Sequence, residues 1–290
     1  MSDHPITTFQ TMKDPEQKDK ASLKRELDDA KAEIEHVGGL AAFKSGDWFF
    51  NLIRKCFRNY YERATGDYFS AKYPGFSEDK LLSKITSVAA RNAAILGGLV
   101  GLGVSADEVA VFFTALPTAG LSVPAQVAIA ATAIAAELLV LTRMQLKLVA
   151  EIAKIMKVPL DPEDPEDILT IFAFAVGGGA AEAAGKFGMK VGAKVTEQVI
   201  KATIKKETLA ALKKLAAKFG QKLLQRTIIK YAVPVVSIFI GGGWNFFSTK
   251  AVSRIARKHF EQRRSERRKA GTGMQSQTDD VVFPPSLPLL

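Results

Sequence analysis

Two long uncharged stretches, each interrupted by proline and glycine, limit most strongly what this chain can fold into. Residues 109–136 form 28 consecutive positions without a charge, more than the roughly 20 that a membrane-spanning helix needs, but Pro117 and Pro124 fall within them. Proline removes an amide proton and clashes with the preceding helical turn, so this stretch predicts two pieces rather than one span. Residues 231–249 are also uncharged, yet they contain a proline and three consecutive glycines at 241–243.

These breaks leave three interpretations open. The stretches can be helices buried in a folded body, segments that insert shallowly or conditionally into lipid, or stable membrane spans. Backbone groups freed by proline and glycine would lack hydrogen-bond partners in hydrocarbon, whereas the rest of a folded protein can supply them. The sequence therefore favours burial, with conditional insertion as the next alternative.

The remaining sequence repeats apolar residues at helical spacing, and no alternation typical of strands extends over any length. The pattern predicts an all-α protein with a compact, bundle-like body whose central helices are rich in glycine and alanine. We assign residues 1–40 to a charged helical arm, residues 41–268 to the body, and residues 269–290 to a disordered tail.

The predicted arm carries one apolar seam. The seam consists of residues at alternating spacings of four and three: Leu23, Leu27, Ala30, Ile34 and Val37. Such spacing places them on one side of a helix, and it fits either an arm packed on the body or a short coiled coil. Because oligomerising coiled coils usually have longer seams, the sequence favours the packed arm.

Positive charge is concentrated in the C-terminal third. Residues 186–269 hold 21 Lys and Arg against four Glu, a net charge of +17, whereas the whole chain carries +10. Two groups are candidate sites for anions or membrane surfaces: Lys214, Lys218, Lys222, Arg226 and Lys230 in a row at intervals of four, and Arg263, Arg264, Arg267, Arg268 and Lys269 in a cluster. The row contains no interleaved acid, so it costs self-repulsion unless an anionic partner is present. The alternative is a solvated helix face.

Several other residues invite a functional interpretation. Trp48, Phe49, Trp244 and Phe246 have basic neighbours, as interfacial aromatics often do, although helical spacing favours a place in the core. Glu137 and Asn245 lie in apolar surroundings and are predicted to be buried polar groups. A paired structural role is the more common one for such residues.

No catalytic constellation is visible. A near match to a phosphate-binding loop at residues 180–187 lacks the first glycine and has Phe187 where a Ser or Thr belongs. The histidines, His4, His36 and His259, are scattered, so we predict neither a metal site nor a cofactor. The polar N-terminus and the single cysteine are consistent with a cytoplasmic protein.

The C-terminal part supports a family resemblance. Residues 231–264 combine Pro234, an apolar glycine-rich run, Asn245, and a basic helix in which Ala256 precedes Phe260. This combination resembles the EcsC protein family, and a looser similarity extends upstream to residue 80. One departure lies at residues 156–159, where the family often has Tyr-Gly and this chain has Met-Lys-Val-Pro, which predicts a remodelled end of that element.

The resemblance implies a helical protein that associates peripherally with membranes. One branch of the family is encoded with subunits of a membrane transporter, and no catalytic residues are established for it. The expected function is therefore non-enzymatic, amphitropic docking on anionic lipids at the inner face of the membrane, with transporter subunits as candidate protein partners. Two alternatives stay open: a soluble module that binds protein or nucleic acid through the same basic face, and a conditionally membrane-inserting protein.

Overall fold

A computed structural model describes residues 18–36, 47–53, 57–63, 66–101, 125–161 and 237–278, with seven single positions between 168 and 223. Within these ranges the chain forms helices and no strand, which confirms the predicted all-α fold. In chain order the helices are α1 (Lys20–His36), α2 (Asp47–Leu52), α3 (Arg58–Arg63), α4 (Gly66–Lys72), α5 (Glu78–Gly101), α6 (Ala125–Ile155) and α7 (Ser237–Thr278).

Helix α1 lies on the body, mainly against α6 and also against α5. Asp19 caps the start of the helix, since its Oδ1 accepts a hydrogen bond of 2.7 Å from the backbone N–H of Ser22. The described part of the predicted seam faces inward, since Leu23, Leu27, Ala30 and Ile34 are all buried, and Val37 lies outside the described residues. An ion pair of 2.5 Å between Glu33 and Arg143 joins α1 to α6 at the surface. The seam is therefore used within the chain, as a packed arm requires.

Helix α7 packs along α5 more extensively than any other two of these helices pack together. The glycines at 241–243 do not interrupt α7, so the break expected at these glycines is absent, whereas Pro234 lies outside the described residues. Gly242 instead permits a close approach, because a Cβ added there would lie only 2.9 Å from the backbone carbonyl oxygen of Ala94. Further along the same contact, the hydroxyl oxygens of Ser253 and Thr86 are 2.6 Å apart.

The two apolar stretches are described only in part, at residues 125–136 in α6 and 237–249 in α7. Among the helices of the described residues, none has both the length and the apolar character needed to cross a membrane. At its other end α7 continues to Thr278, past the boundary of 268 that we predicted for the body. Residues 279–290 of the predicted tail lie outside the described residues.

A buried glutamate on α6 is paired with a half-buried lysine. The carboxylate of Glu151 is 3.5 Å from the ammonium of Lys147, one helical turn earlier. Burial raises the pKa of Glu151, and the nearby positive charge of Lys147 offsets only part of that increase. In the folded state the carboxyl group thus holds its proton to higher pH than in the unfolded chain.

This shift predicts how Glu151→Gln changes the pH dependence of stability. Because the folded state binds the proton more tightly, Glu151 costs stability increasingly as pH rises above the pKa of an ordinary glutamate. The free energy of unfolding of the variant, relative to wild type, should therefore increase between about pH 4 and pH 7. Urea denaturation across this range measures the difference. A difference that stays constant or decreases with pH would contradict the assignment.

Candidate anion-binding site

The site begins at the turn that ends α6. The backbone N–H of Val158 donates to the carbonyl of Ala153 at 2.9 Å, and that of Lys157 donates to the carbonyl of Lys154 at 3.1 Å. These two bonds form a Schellman motif, in which the residue at the position of Lys157 adopts a left-handed backbone. Lys157 has φ of 55°, a conformation that costs a residue other than glycine about 1–2 kcal/mol.

Tyr61 on α3 holds the chain that follows this turn. Its hydroxyl accepts a hydrogen bond of 2.9 Å from the backbone N–H of Leu160 and donates to the carbonyl of Val158 at 3.5 Å. The ammonium of Lys154 lies 3.9 Å from the centre of the Tyr61 ring. The side chains of Val158 and Leu160 are buried beneath the loop. The loop is therefore fixed at both its backbone and its side chains.

The opposite side of the site comes from α7, which is held in place by the start of α5. Ser77 precedes that start, and Glu78 and Asp79 occupy the first helical turn. Both nitrogens of the Arg264 guanidinium fork bond the Glu78 carboxylate, at 3.0 and 2.8 Å, and Arg257 pairs with Asp79 at 2.6 Å. The hydrogen bonds that Arg264 donates to the Glu78 carboxylate raise the pKa of Arg264, so this group keeps its positive charge.

The loop and α7 enclose a pocket of about 230 Å³. Lys157, Val158 and Pro159 line one side, and Arg264, Arg267 and Arg268 line the other. Of these six described residues four are cations and none is acidic, and Glu78 offsets the charge of one of them, Arg264. This lining favours an anionic ligand. Arg267 and Arg268 are exposed, which leaves the site open to a ligand from solvent.

The size of the pocket limits what it can hold. Its volume is below the range of about 300–1,000 Å³ that is usual for pockets of drug-sized ligands and cofactors. A small anionic group bonded by guanidinium and ammonium donors fits both the volume and the charge. Within the described ranges, no group of three or more His, Cys, Asp or Glu side chains could hold a metal ion.

The structure brings together part of the predicted basic cluster. Arg264, Arg267 and Arg268 line the pocket, whereas Arg263 lies on the same helix but does not line it. Lys269 continues α7, and its side chain lies outside the described residues. Of the predicted row, Lys218 is exposed, and the members that lie outside the described residues are Lys214, Lys222, Arg226 and Lys230.

Lys157 is the pocket residue that sequence reasoning missed. The nearby sequence feature that could have pointed to Lys157 is the proline two positions later, which indicates that a helix ends close to this residue. That signal does not reveal that Lys157 and Arg264, more than a hundred residues apart in the chain, face one pocket.

Two of the predicted interfacial aromatics need correction. Trp48 and Phe49 belong to the hydrophobic core, with Phe49 fully buried, because α2 turns its apolar side inward. Trp244 and Phe246 on α7 are half-buried. The Phe246 ring lies 4.5 Å from the ammonium of Lys250, a cation–π contact at the protein surface.

Glu137 and Asn245 lie away from the pocket, between α6 and α7. Both are fully buried, and the Asn245 amide donates a hydrogen bond of 2.7 Å to a Glu137 carboxyl oxygen. One helical turn further along α7, Thr249 is also buried and accepts a hydrogen bond of 3.3 Å from Gln145. These bonds form a polar layer inside an apolar contact, which fixes how α6 and α7 align.

Comparisons with known proteins add no assignment. The sequence matches no model of a known protein family, and searches among curated proteins and solved structures gave no match. The resemblance to the EcsC family therefore stays a prediction.

Proposed function

We propose that this protein is a non-enzymatic, amphitropic protein that docks on anionic membrane surfaces through residues 254–268, the basic segment of α7. The observation that carries the proposal is the pocket in which Lys157 and three arginines of this segment converge, with no acidic residue among the described residues that line it. The whole segment contains seven Lys and Arg against two Glu. An exposed surface of this charge attracts anionic headgroups.

The expected strength of this attraction supports reversible docking. A cation near an anionic membrane contributes about 1 kcal/mol, and the effect decays over a Debye length of roughly 10 Å at 0.1 M salt. Because Arg264 is paired with Glu78, the other three pocket cations would supply about 3 kcal/mol, which corresponds to a dissociation constant of about 6 mM. The neighbouring cations of the segment add to this, so binding should be measurable and strongly dependent on salt.

The apolar residues of α7 support docking rather than insertion. Val252, Ala256 and Phe260 are buried in the hydrophobic core, on the same helix as the basic segment. Inserting this part of the helix into lipid would require separating it from α5 and α6. Charge-driven docking leaves these contacts intact. We propose the inner face of the membrane as the docking surface, because anionic lipids give the cytoplasmic leaflet its negative surface potential. An accessory role beside a membrane transport complex is an extension of this proposal.

Flotation of the full-length protein with vesicles tests the proposal. We expect co-flotation with vesicles that contain phosphatidylserine, little with neutral phosphatidylcholine vesicles, and release as NaCl rises from 50 to 500 mM. Equal binding to neutral vesicles, or no binding to either kind, would contradict it. Tight binding to DNA or RNA without vesicle binding would support the nucleic-acid alternative instead.

Extraction of native membranes separates docking from insertion. If the cations hold the protein at the surface, high salt alone should release it. Protein that resists both high salt and alkaline carbonate, and that is protected from added protease, would instead be inserted in the bilayer, and the peripheral proposal would be wrong.

A further inference from the structure

We propose that the pocket of Lys157, Arg264, Arg267 and Arg268 binds the phosphate monoester of a lipid headgroup, and that Lys157 occupies its strained backbone position for this purpose. The inference rests on the proposed function, because it names the lipid that the docking surface selects. It goes further in assigning a specific site, since a diffuse basic surface alone would not distinguish lipids of equal charge.

The donors of the pocket match a phosphate monoester. Such a group carries between one and two negative charges near pH 7 and presents three oxygens that accept hydrogen bonds. Guanidinium groups bond phosphate oxygens in pairs, and the lysine ammonium adds a compact positive charge. A phosphodiester headgroup such as that of phosphatidylserine is less highly charged at the phosphate and has fewer unsubstituted oxygens. The monoester should therefore gain more from the converging cations, chiefly from Lys157, Arg267 and Arg268, because Arg264 is paired with Glu78.

The pocket is also preorganised on both sides. Glu78 bonds both ends of the Arg264 guanidinium fork, so this arginine is held in place before a ligand arrives. On the other side, the hydroxyl of Tyr61 pins the backbone at Val158 and Leu160. Groups that are already ordered lose less conformational entropy when a ligand binds, which favours one defined ligand over loose attraction.

The backbone of Lys157 is an independent observation that points to the same site. With φ of 55° it occupies a position at which glycine carries no steric penalty. A glycine there would satisfy the fold, but it would remove one of the four cations of the pocket. Strained backbone of this kind tends to be found at functional sites, and here the strained residue is the one that the loop contributes as a cation.

Three substitutions at this position separate charge from strain. Lys157→Gly removes both, Lys157→Gln removes only the charge, and Lys157→Arg keeps both. Each variant is compared with the wild-type protein in flotation with phosphatidic acid vesicles and phosphatidylserine vesicles, which are matched for total surface charge. Thermal unfolding of the same samples reports whether each variant is folded.

The wild type should bind phosphatidic acid vesicles at least about fivefold more tightly than the matched phosphatidylserine vesicles. Lys157→Gly and Lys157→Gln should lose this preference: their binding to phosphatidic acid should weaken about 25-fold or more, and their binding to phosphatidylserine only by the about fivefold that one cation supplies. Lys157→Arg should keep the preference. Lys157→Gly should in addition unfold about 2–4 °C above wild type, because the relief of strain exceeds the added entropy of the unfolded chain. Its loss of selectivity could not then come from unfolding.

Other results would overturn the inference. Equal binding of the wild type to both matched vesicles would leave the proposed docking intact but remove the selective pocket. Absence of binding to any anionic vesicle would defeat the proposed function and the inference together. If glycerol 3-phosphate protects the wild type, but not Lys157→Gln, against thermal unfolding while phosphatidic acid vesicles show no preference, the ligand would be a soluble phosphate ester, and the lipid assignment would be wrong.

Discussion

Replacing Gly242 by leucine is expected to lower the free energy of unfolding by about 3 kcal/mol or more. The backbone of α5 leaves no room, because a Cβ at this position would meet the carbonyl oxygen of Ala94 at 2.9 Å. A backbone carbonyl cannot rotate away as a flexible side chain can, so α7 would have to move away from α5. The hydroxyl contact of 2.6 Å between Ser253 and Thr86 further along the same two helices would then weaken as well.

Gly98 on α5 provides the matched control. It is also a helical glycine, but a Cβ added there meets no atom within 4 Å. Gly98→Ala should therefore raise stability by about 0.5–1 kcal/mol, since alanine favours helices more than glycine does. Urea denaturation of Gly242→Leu, Gly242→Ala and Gly98→Ala measures the contrast. If Gly242→Leu unfolds at the same denaturant concentration as wild type, the close approach of α5 and α7 is wrong.

Asn245→Leu is expected to destabilise the protein by about 3 kcal/mol. The substitution removes the hydrogen bond of 2.7 Å from the Asn245 amide to the Glu137 carboxyl group. Glu137 is fully buried, so water cannot replace the lost donor without opening the contact between α6 and α7. Leucine is also tetrahedral at Cγ where asparagine is planar, which adds a small packing cost in a site without exposed surface.

A double-mutant cycle separates the polar pair from simple loss of packing. Glu137→Leu should also be destabilising, but the double variant Glu137→Leu/Asn245→Leu should lose at least about 1 kcal/mol less than the sum of the two single variants. The exposed Asn51 on α2 serves as a control, and Asn51→Leu should change stability by about 0.5 kcal/mol or less. Additive losses in the cycle would show that the two side chains are not energetically coupled.

Periodicity predicted which residues of α1 are buried, but it could not predict how helices pair. Leu23, Leu27, Ala30 and Ile34 share one side of a helix by spacing alone, and all four are buried. Glu137 and Asn245 could each be recognised as polar residues in apolar surroundings. Their hydrogen bond joins positions 108 residues apart, and it depends on the packing of α6 against α7. Local sequence carries no information about that distance.

The glycines of α7 illustrate how tertiary packing overrides a local preference. Three consecutive glycines lower helix propensity, which is why the sequence predicts a break. In the structure the helix continues through them, because at Gly242 the absence of a side chain lets α7 lie directly on the backbone of α5. The stabilisation gained from this contact offsets the poor propensity, and no sequence window contains both helices.

The positive charge of the basic site could be predicted from the sequence, but the shape of the pocket could not. Net charge identifies Arg264, Arg267 and Arg268 as candidates without any structure. The pocket also requires Lys157, whose contribution depends on a left-handed backbone at the end of α6 and on the hydroxyl of Tyr61. These are properties of the folded chain, so a pattern of charges alone predicts a surface and not a pocket.

Charge reversal at two matched pairs of adjacent cations tests the central proposal most directly. Arg267→Glu/Arg268→Glu alters the pocket, and Lys24→Glu/Arg25→Glu makes the same change of net charge at exposed positions of α1. In flotation with phosphatidylserine vesicles at 100 mM NaCl, the first variant should bind at least about 30-fold more weakly than wild type, and the second should stay within about threefold of it. Equal losses in both variants, or undiminished binding by the first, would contradict docking through the basic segment of α7.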